Sequence, residues 1–303
     1  STYRIFYLRP DAGKTVTLKN MTMKGGNLSD AGGAIRIESC SGHVTLEGCT
    51  ISNSKATYGG GVWAWTMGNL TVTNCTFQNN EITGDGGGIF VRGVTGLTID
   101  GSTFDSNTGT GNGGGLYVFD ETFSIDKTTF SNNNVSSSGG GIYVDGDNSL
   151  AASTITNSTF NDNTGNGSAA NDFGGAIYYY YGIHQITNCT IFNNTAQFGG
   201  GVSFSFATVY LTNSTIANNT ATSMGDGLYQ GSSTYLYIKN SILANNTVND
   251  YHRDSGVVYD NGYNIVEVSN GRTWSGTGVR TGDQASLNLS ASLADNATLN
   301  GTQ

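Results

Sequence analysis

Trp63 and Trp65 stand two residues apart, as do Phe90 and Arg92, Tyr117 and Phe119, Tyr143 and Asp145, and Tyr178 and Tyr180. On an extended strand, residues two apart share a face. Five segments therefore each offer a pair of side chains to one surface, and eight of those ten are aromatic. A continuous exposed apolar patch of this kind marks an interaction site. Its chemistry suits polysaccharide: flat rings receive the C–H faces of sugars, while Glu38, Arg92, Asp120, Asp145 and Asp147 can hydrogen-bond hydroxyls along the edge. The same residue types dominate protein–protein hot spots, so a protein partner or self-association is the second reading. A third is a ladder of rings that only stabilises the sheet.

Other reactive residues are sparser. A glycoside hydrolase needs two carboxylates flanking the substrate, and Asp145, Asp147, Asp120 and Glu121 are the candidates. A lyase acting on uronates needs a base near acids, and Arg92 is the central basic side chain of the patch. Asp145, Asp120 and Arg92 thus carry the enzymatic alternative, although aspartates in "DGDN" and "VFDET" are commonly turn formers. "DGDN" also opens like a calcium loop but lacks the distal glutamate, so no cofactor is expected. His43, His184 and His252 lie far apart without a nucleophile motif, which argues against a catalytic triad. Cys40, Cys49, Cys75 and Cys189 match no zinc spacing.

These residues need a scaffold that repeats, and the chain supplies one. Apolar residues follow glycine clusters at Ile35, Val62, Ile89, Leu116, Ile142, Ile177, Val202 and Leu228. Their spacing is 25–27 residues, apart from one interval of 35. A second column runs Met23, Ile51, Phe77, Phe104, Phe130, Phe160, Ile191, Ile216 and Leu243. Three residues beyond it comes Asn80, Asn107, Asn133, Asn163, Asn194, Asn219 and Asn246. Within each unit the apolar period is two, and a turn at Asn20, Gly48, Asn74, Gly101, Asn157, Asn188, Asn213 or Asn240 shifts the phase. Asparagine and glycine tolerate the left-handed backbone of a tight bend.

A repeat of roughly 26 residues with period-two strands predicts an all-β right-handed parallel β-helix of about nine rungs. Val62 falls in the inward column, so Trp63 and Trp65 are placed outside and Ala64 inside. The other strand presents Thr22, Thr50, Thr76, Thr103, Thr129, Thr159, Thr190 and Thr215, which confines the aromatics to one sheet. Cys49 and Cys75 share an inward column where they could bridge, a reduced thiol stack being the default reading. N-x-S/T sequons at Asn20, Asn74, Asn188 and Asn213 fall on turn positions, where inward packing is expected to block a glycan. The 35-residue interval contains segments 145–154 and 161–173, expected beside Tyr178 and Tyr180 as a wall of the patch.

The paired signatures "GGAI" and "FxxN" resemble the repeats of chlamydial polymorphic outer-membrane proteins. More broadly, the chain is similar to bacterial and archaeal β-helix proteins of the cell surface. The opening "RIFYLRPDAGKTVTLKNMTMKGG" and the closing "NSILANNT", "GYNIVE" and "SLADN" resemble secreted β-helix proteins with a variable anchor. The resemblance implies fold, secretion and surface display. Proteins of that kind usually begin further upstream and run on into an anchor.

Composition narrows the field. A net charge of −9 and the lack of any basic cluster exclude nucleic-acid binding. No apolar run is long enough to span a bilayer. The expectation is one elongated domain, a β-helix over residues 1–250 closed by a non-repetitive capping segment over 251–303. Its predicted role is an adhesin-like module on the cell surface or secreted from it, binding polysaccharide through Trp63, Trp65, Phe90, Arg92, Tyr117, Phe119, Tyr143, Asp145, Tyr178 and Tyr180. A polysaccharide lyase or hydrolase on the same face, and a structural spacer or filament subunit, are the alternatives.

Overall fold

The computed structural model describes residues 2–146, 151–165, 172–267, 274 and 276–281. Among these the regular structure is all strand. The strands form three sheets of 16, 11 and 7 members, and every strand pairing is parallel. Ten strands succeed one another along the main path of the largest sheet, which makes about nine turns of a solenoid. One coil supplies a strand to each sheet, as in Val62–Thr73, Thr76–Gln78 and Glu81–Ile82. At a strand spacing of about 4.8 Å the rod is roughly 40 Å long.

The corners are set by residues that accept a left-handed backbone. Asn20, Asn74, Asn157, Asn188, Asn213 and Asn240 bend with φ between 50 and 55°, and Gly48 and Gly101 occupy the same column with φ of 60 and 58°. The coil without an asparagine or glycine there uses Lys127, with φ of 46°. Contrary to expectation, Asn20, Asn74, Asn188 and Asn213 are exposed. From the second coil on, the residue that fills this corner is the next one along, and Cys49, Cys75, Cys189 and Ser214 are all buried, whereas Met21 after Asn20 is exposed. At the third corner, consecutive coils touch backbone to backbone. A Cβ on Gly88 would sit 2.5 Å from the carbonyl oxygen of Gly115, so alanine is accommodated at this place only where the backbone gives, as at the equivalent Ala34 and Ala176.

Inside, the columns read from the sequence are the core. Ile35, Val62, Ile89, Leu116, Ile142, Ile177 and Val202 are fully buried. Phe77, Phe104, Phe130 and Phe160 stack in a row at 4.7, 4.6 and 4.9 Å, and such pairs add about 0.5–1.5 kcal/mol beyond burial. The asparagine ladder lies three residues further on. Asn80 Nδ2 donates to Asn107 Oδ1 at 2.9 Å, Asn107 to Asn133 at 2.9 Å, and Asn133 to Asn163 at 2.8 Å. It continues to Asn246, whose Nδ2 donates to Asp250 Oδ1 at 2.6 Å. A second interior ladder runs through the cysteine column. The backbone N–H of Cys49 reaches Cys75 Sγ, that of Cys75 reaches Ser102 Oγ, and that of Cys189 reaches Ser214 Oγ. All four cysteines are free thiols.

Parallel pairing runs on past residue 250. Tyr251–Arg253 pairs with Leu228–Gln230, Val257–Asp260 with Tyr235–Lys239, and Ile265–Val266 with Ile242–Ala244. Asn249 and Asp250 replace the glycines at this corner, and their carbonyls still receive the N–H groups of Gly227 and Leu228. The glycine period ends there although the ladder does not. Residues 282–303 of the expected cap lie outside the described residues.

Candidate functional site

The phase of the long strands places the aromatics as expected. Val62 and Ala64 are fully buried in the main core, whereas Trp63 belongs to a separate cluster with Ala31, Phe90 and Tyr117. Trp65, Phe119 and Tyr143 pack against that cluster and are half-buried. Register holds the columns together: Trp63 pairs with Arg36 and Phe90, Tyr117 with Phe90 and Tyr143, and Tyr143 with Tyr178. Trp65, Arg92, Phe119, Asp145 and Tyr180 align as the second column.

Outward placement has not left the first column open to water. Trp63, Phe90, Tyr117 and Tyr178 keep only 5–7% of their surface. Phe90 stacks on Tyr117 at 5.1 Å and Tyr117 on Tyr143 at 5.0 Å, each pair within 3° of parallel. Neighbouring coils thus consume the ring faces and leave mainly edges. This corrects the expectation of a broad sheet of free faces: coils about 4.8 Å apart bring like rings into contact before any ligand can reach them. The stack breaks at the long coil, where Tyr143 and Tyr178 meet at 65°. Phe173, at the end of the insertion, stacks on Tyr178 at 5.1 Å instead. Asp147 and residues 166–171 fall outside the described residues.

What remains accessible is a groove of about 450 Å³ over the third to fifth coils. Trp65, Arg92 and Phe119 line it, with Tyr58 and the carboxylates of Asp30 and Asp85 on the other wall. The guanidinium of Arg92 lies 4.7 Å from the centre of the Trp65 ring and 4.2 Å from that of Phe119. Arg36 lies over Trp63 at 4.6 Å, but it is paired with Asp30 at 2.5 Å and Glu38 at 2.6 Å. Asp85 accepts both the backbone N–H and the side-chain amide of Asn112 at 2.8 and 3.0 Å, while burial raises its pKa. Burial likewise keeps the Tyr117 and Tyr143 hydroxyls protonated far into alkali. The sequence reading missed Tyr58, Asp30 and Asp85. Tyr58 and Asp85 immediately precede glycine clusters, and that shared place in the coil is the signal that could have found them.

The candidate catalytic carboxylates lie just beyond the groove. Asp145 is raised by burial and then by Asp120, against a smaller pull from Arg92. Asp120 bends the chain with φ of 55° and donates its N–H to the carbonyl of Asp145 at 2.7 Å. Glu121, held by the backbone N–H groups of Gly93 and Val94, is pushed up to about 6 by burial. Phe119 separates Arg92 from Asp145 in the column, so the three side chains do not converge on one point. His184 is in the core, while His43 Nδ1 accepts the Asn69 N–H and His252 meets Asp254. Among the described residues no three potential metal ligands are gathered together.

Residues 6–177 and 124–297 match the right-handed beta helix region. Together they span almost the whole chain, which therefore belongs to the right-handed β-helix family. No curated protein and no solved structure matches it.

Proposed function

We propose that the protein is an adhesin-like module, secreted or displayed on the cell surface, that binds polysaccharide in the groove over Trp65, Arg92 and Phe119. The observation that carries this reading is the groove itself: half-buried rings beside an exposed cation and carboxylates that can accept hydroxyl protons, cut into a rigid outer face. Mixed apolar and polar linings of this kind suit sugars, which present C–H patches and hydroxyls together. The resemblance to chlamydial polymorphic outer-membrane repeats and to anchored, secreted β-helix proteins supports the surface location. Trp63, Phe90, Tyr117, Tyr143 and Tyr178 act mainly as the floor that holds the groove in shape, and Tyr180 and Asp145 extend its second column.

The test is a titration of tryptophan fluorescence with a polysaccharide panel. Trp65→Ala and Phe119→Ala should each weaken binding about tenfold, the loss expected from one stacking or edge contact worth about 1–1.5 kcal/mol. Unchanged affinity in both variants removes the groove as the site. Trp63→Ala is a poor probe, because Trp63 is covered by its neighbours and its removal costs stability. One observation, the raised Glu121 beside Asp120, keeps the hydrolase or lyase alternative in view. Shortened products after incubation with the same panel would establish it.

A further inference from the structure

We infer that the sugar bound in this groove carries an oxyanion, a carboxylate or a sulfate ester, and that the guanidinium of Arg92 receives it. The inference rests on the glycan reading of the groove and specifies the ligand class. Arg92 is exposed, and its guanidinium has no hydrogen bond or ion pair to any described residue. Its contacts are the two ring faces of Trp65 and Phe119, at 4.7 and 4.2 Å. Stacking of this kind fixes a planar guanidinium while leaving the N–H groups on its edge unspent. Those N–H groups form a fork that matches a carboxylate or a sulfate with two parallel hydrogen bonds.

Arg36 gives the contrast. It lies over Trp63 in much the same way, yet Asp30 and Glu38 neutralise it. Of two arginines set on tryptophans in adjacent columns, one is satisfied within the protein and the other is not. The acidic groups nearby are themselves engaged or distant. Asp30 pairs with Arg36, and Asp85 takes two hydrogen bonds from Asn112. Glu121 is held by the N–H groups of Gly93 and Val94, and Asp145 stands two coils from Arg92 with Phe119 between them, where burial and Asp120 act on its pKa more strongly than Arg92 does. The chain's net charge of −9 opposes an anionic polymer at long range, but salt at physiological strength screens such fields beyond about 8 Å. Ring edges carry partial positive charge, and the edges of Phe90 and Tyr117 that line the same groove favour an oxyanion too.

The experiment uses the whole chain and three tetrasaccharides of similar size: an oligogalacturonate, a sulfated galactan fragment and a neutral galactan fragment. Binding is read by tryptophan fluorescence and calorimetry. One of the two anionic ligands should bind at least about tenfold tighter than the neutral one, which also tells carboxylate from sulfate. Arg92→Met keeps the stem between the rings. It should abolish that preference, a loss of about 10- to 100-fold for a charge-assisted forked pair, and weaken the neutral ligand far less. Arg92→Lys should retain part of it, because the charge stays and the fork is lost. Melting temperatures of both variants check that the rod is intact. Equal binding of neutral and anionic ligands, or an anionic preference that survives Arg92→Met, overturns the inference while leaving the glycan reading standing. Binding of none of the three overturns both.

Discussion

At the scale of single residues, the interior answers most of its polarity from the next coil, with Tyr179 Oη, Ser203 Oγ and His184 Nδ1 among the exceptions. Each buried asparagine from Asn80 to Asn219 gives its amide to its successor, and in the cysteine column the backbone N–H of one coil donates to the thiol or hydroxyl of the next. His184 departs from that rule. It stacks on Tyr179 at 3.9 Å, Nε2 meets the carbonyl of Tyr181 at 2.8 Å, and Nδ1 has no partner. Burial lowers its pKa from 6.5 to about 4. The unfolded chain therefore takes up the proton first as pH falls. Stability is undiminished above pH 6.5 and declines to a deficit of about 3 kcal/mol below pH 4. Urea unfolding of wild type and His184→Leu at pH 7 and 4.5 checks this: the variant should lose clearly less stability on acidification. An equal loss in both would place the acid sensitivity elsewhere.

At the scale of the element, a coil is specified by its three corners and its inward columns, and most of that was legible in the sequence. Period-two apolar residues gave the strands, and asparagine at the corners gave the bends. The phase set by Val62 correctly separated Ala64 from Trp63. Three features were not legible, each for a physical reason. Lys127 adopts a left-handed corner because both neighbouring coils impose it, although lysine has no preference for that backbone. The burial of Trp63, Phe90 and Tyr117 depends on ring tilt between coils, which alternation within one strand does not encode. The wall formed by Tyr58 and Asp85 comes from a corner that reads only as glycine. That corner is also the least forgiving place in the coil. Gly86→Ala, at a φ of 74°, would drive a methyl group to within 2.6 Å of the Ile89 oxygen and 2.8 Å of the Phe90 Cβ. It should cost about 3 kcal/mol or more, read as a lowered urea midpoint. A midpoint within experimental error of wild type would show that the corner can relax.

At the scale of the molecule, the chain is a one-dimensional array in which each coil touches chiefly its two neighbours. Thr103 and Thr129 occupy equivalent places in successive coils. Removing residues 103–128 joins Ser102 to Thr129 and brings Phe90 against Tyr143. The shortened protein should fold and be about 4.8 Å shorter, measurable by small-angle scattering. Removing half as many residues should leave it unfolded, since a sheet strand would then face a glycine corner. If the whole-coil deletion also fails to fold, the fifth coil has a role beyond stacking.

The asparagine file has a consequence for how such a chain can change over generations. Every asparagine both gives to and takes from its neighbours, so the file is indifferent to how many members it has but intolerant of a gap. Duplication or loss of one complete period leaves each amide answered, whereas a partial one strands a pair of them in the dark. Length is thus free to drift in whole steps of the same stride. A longer rod would come by copying coils, with no new invention needed at the groove.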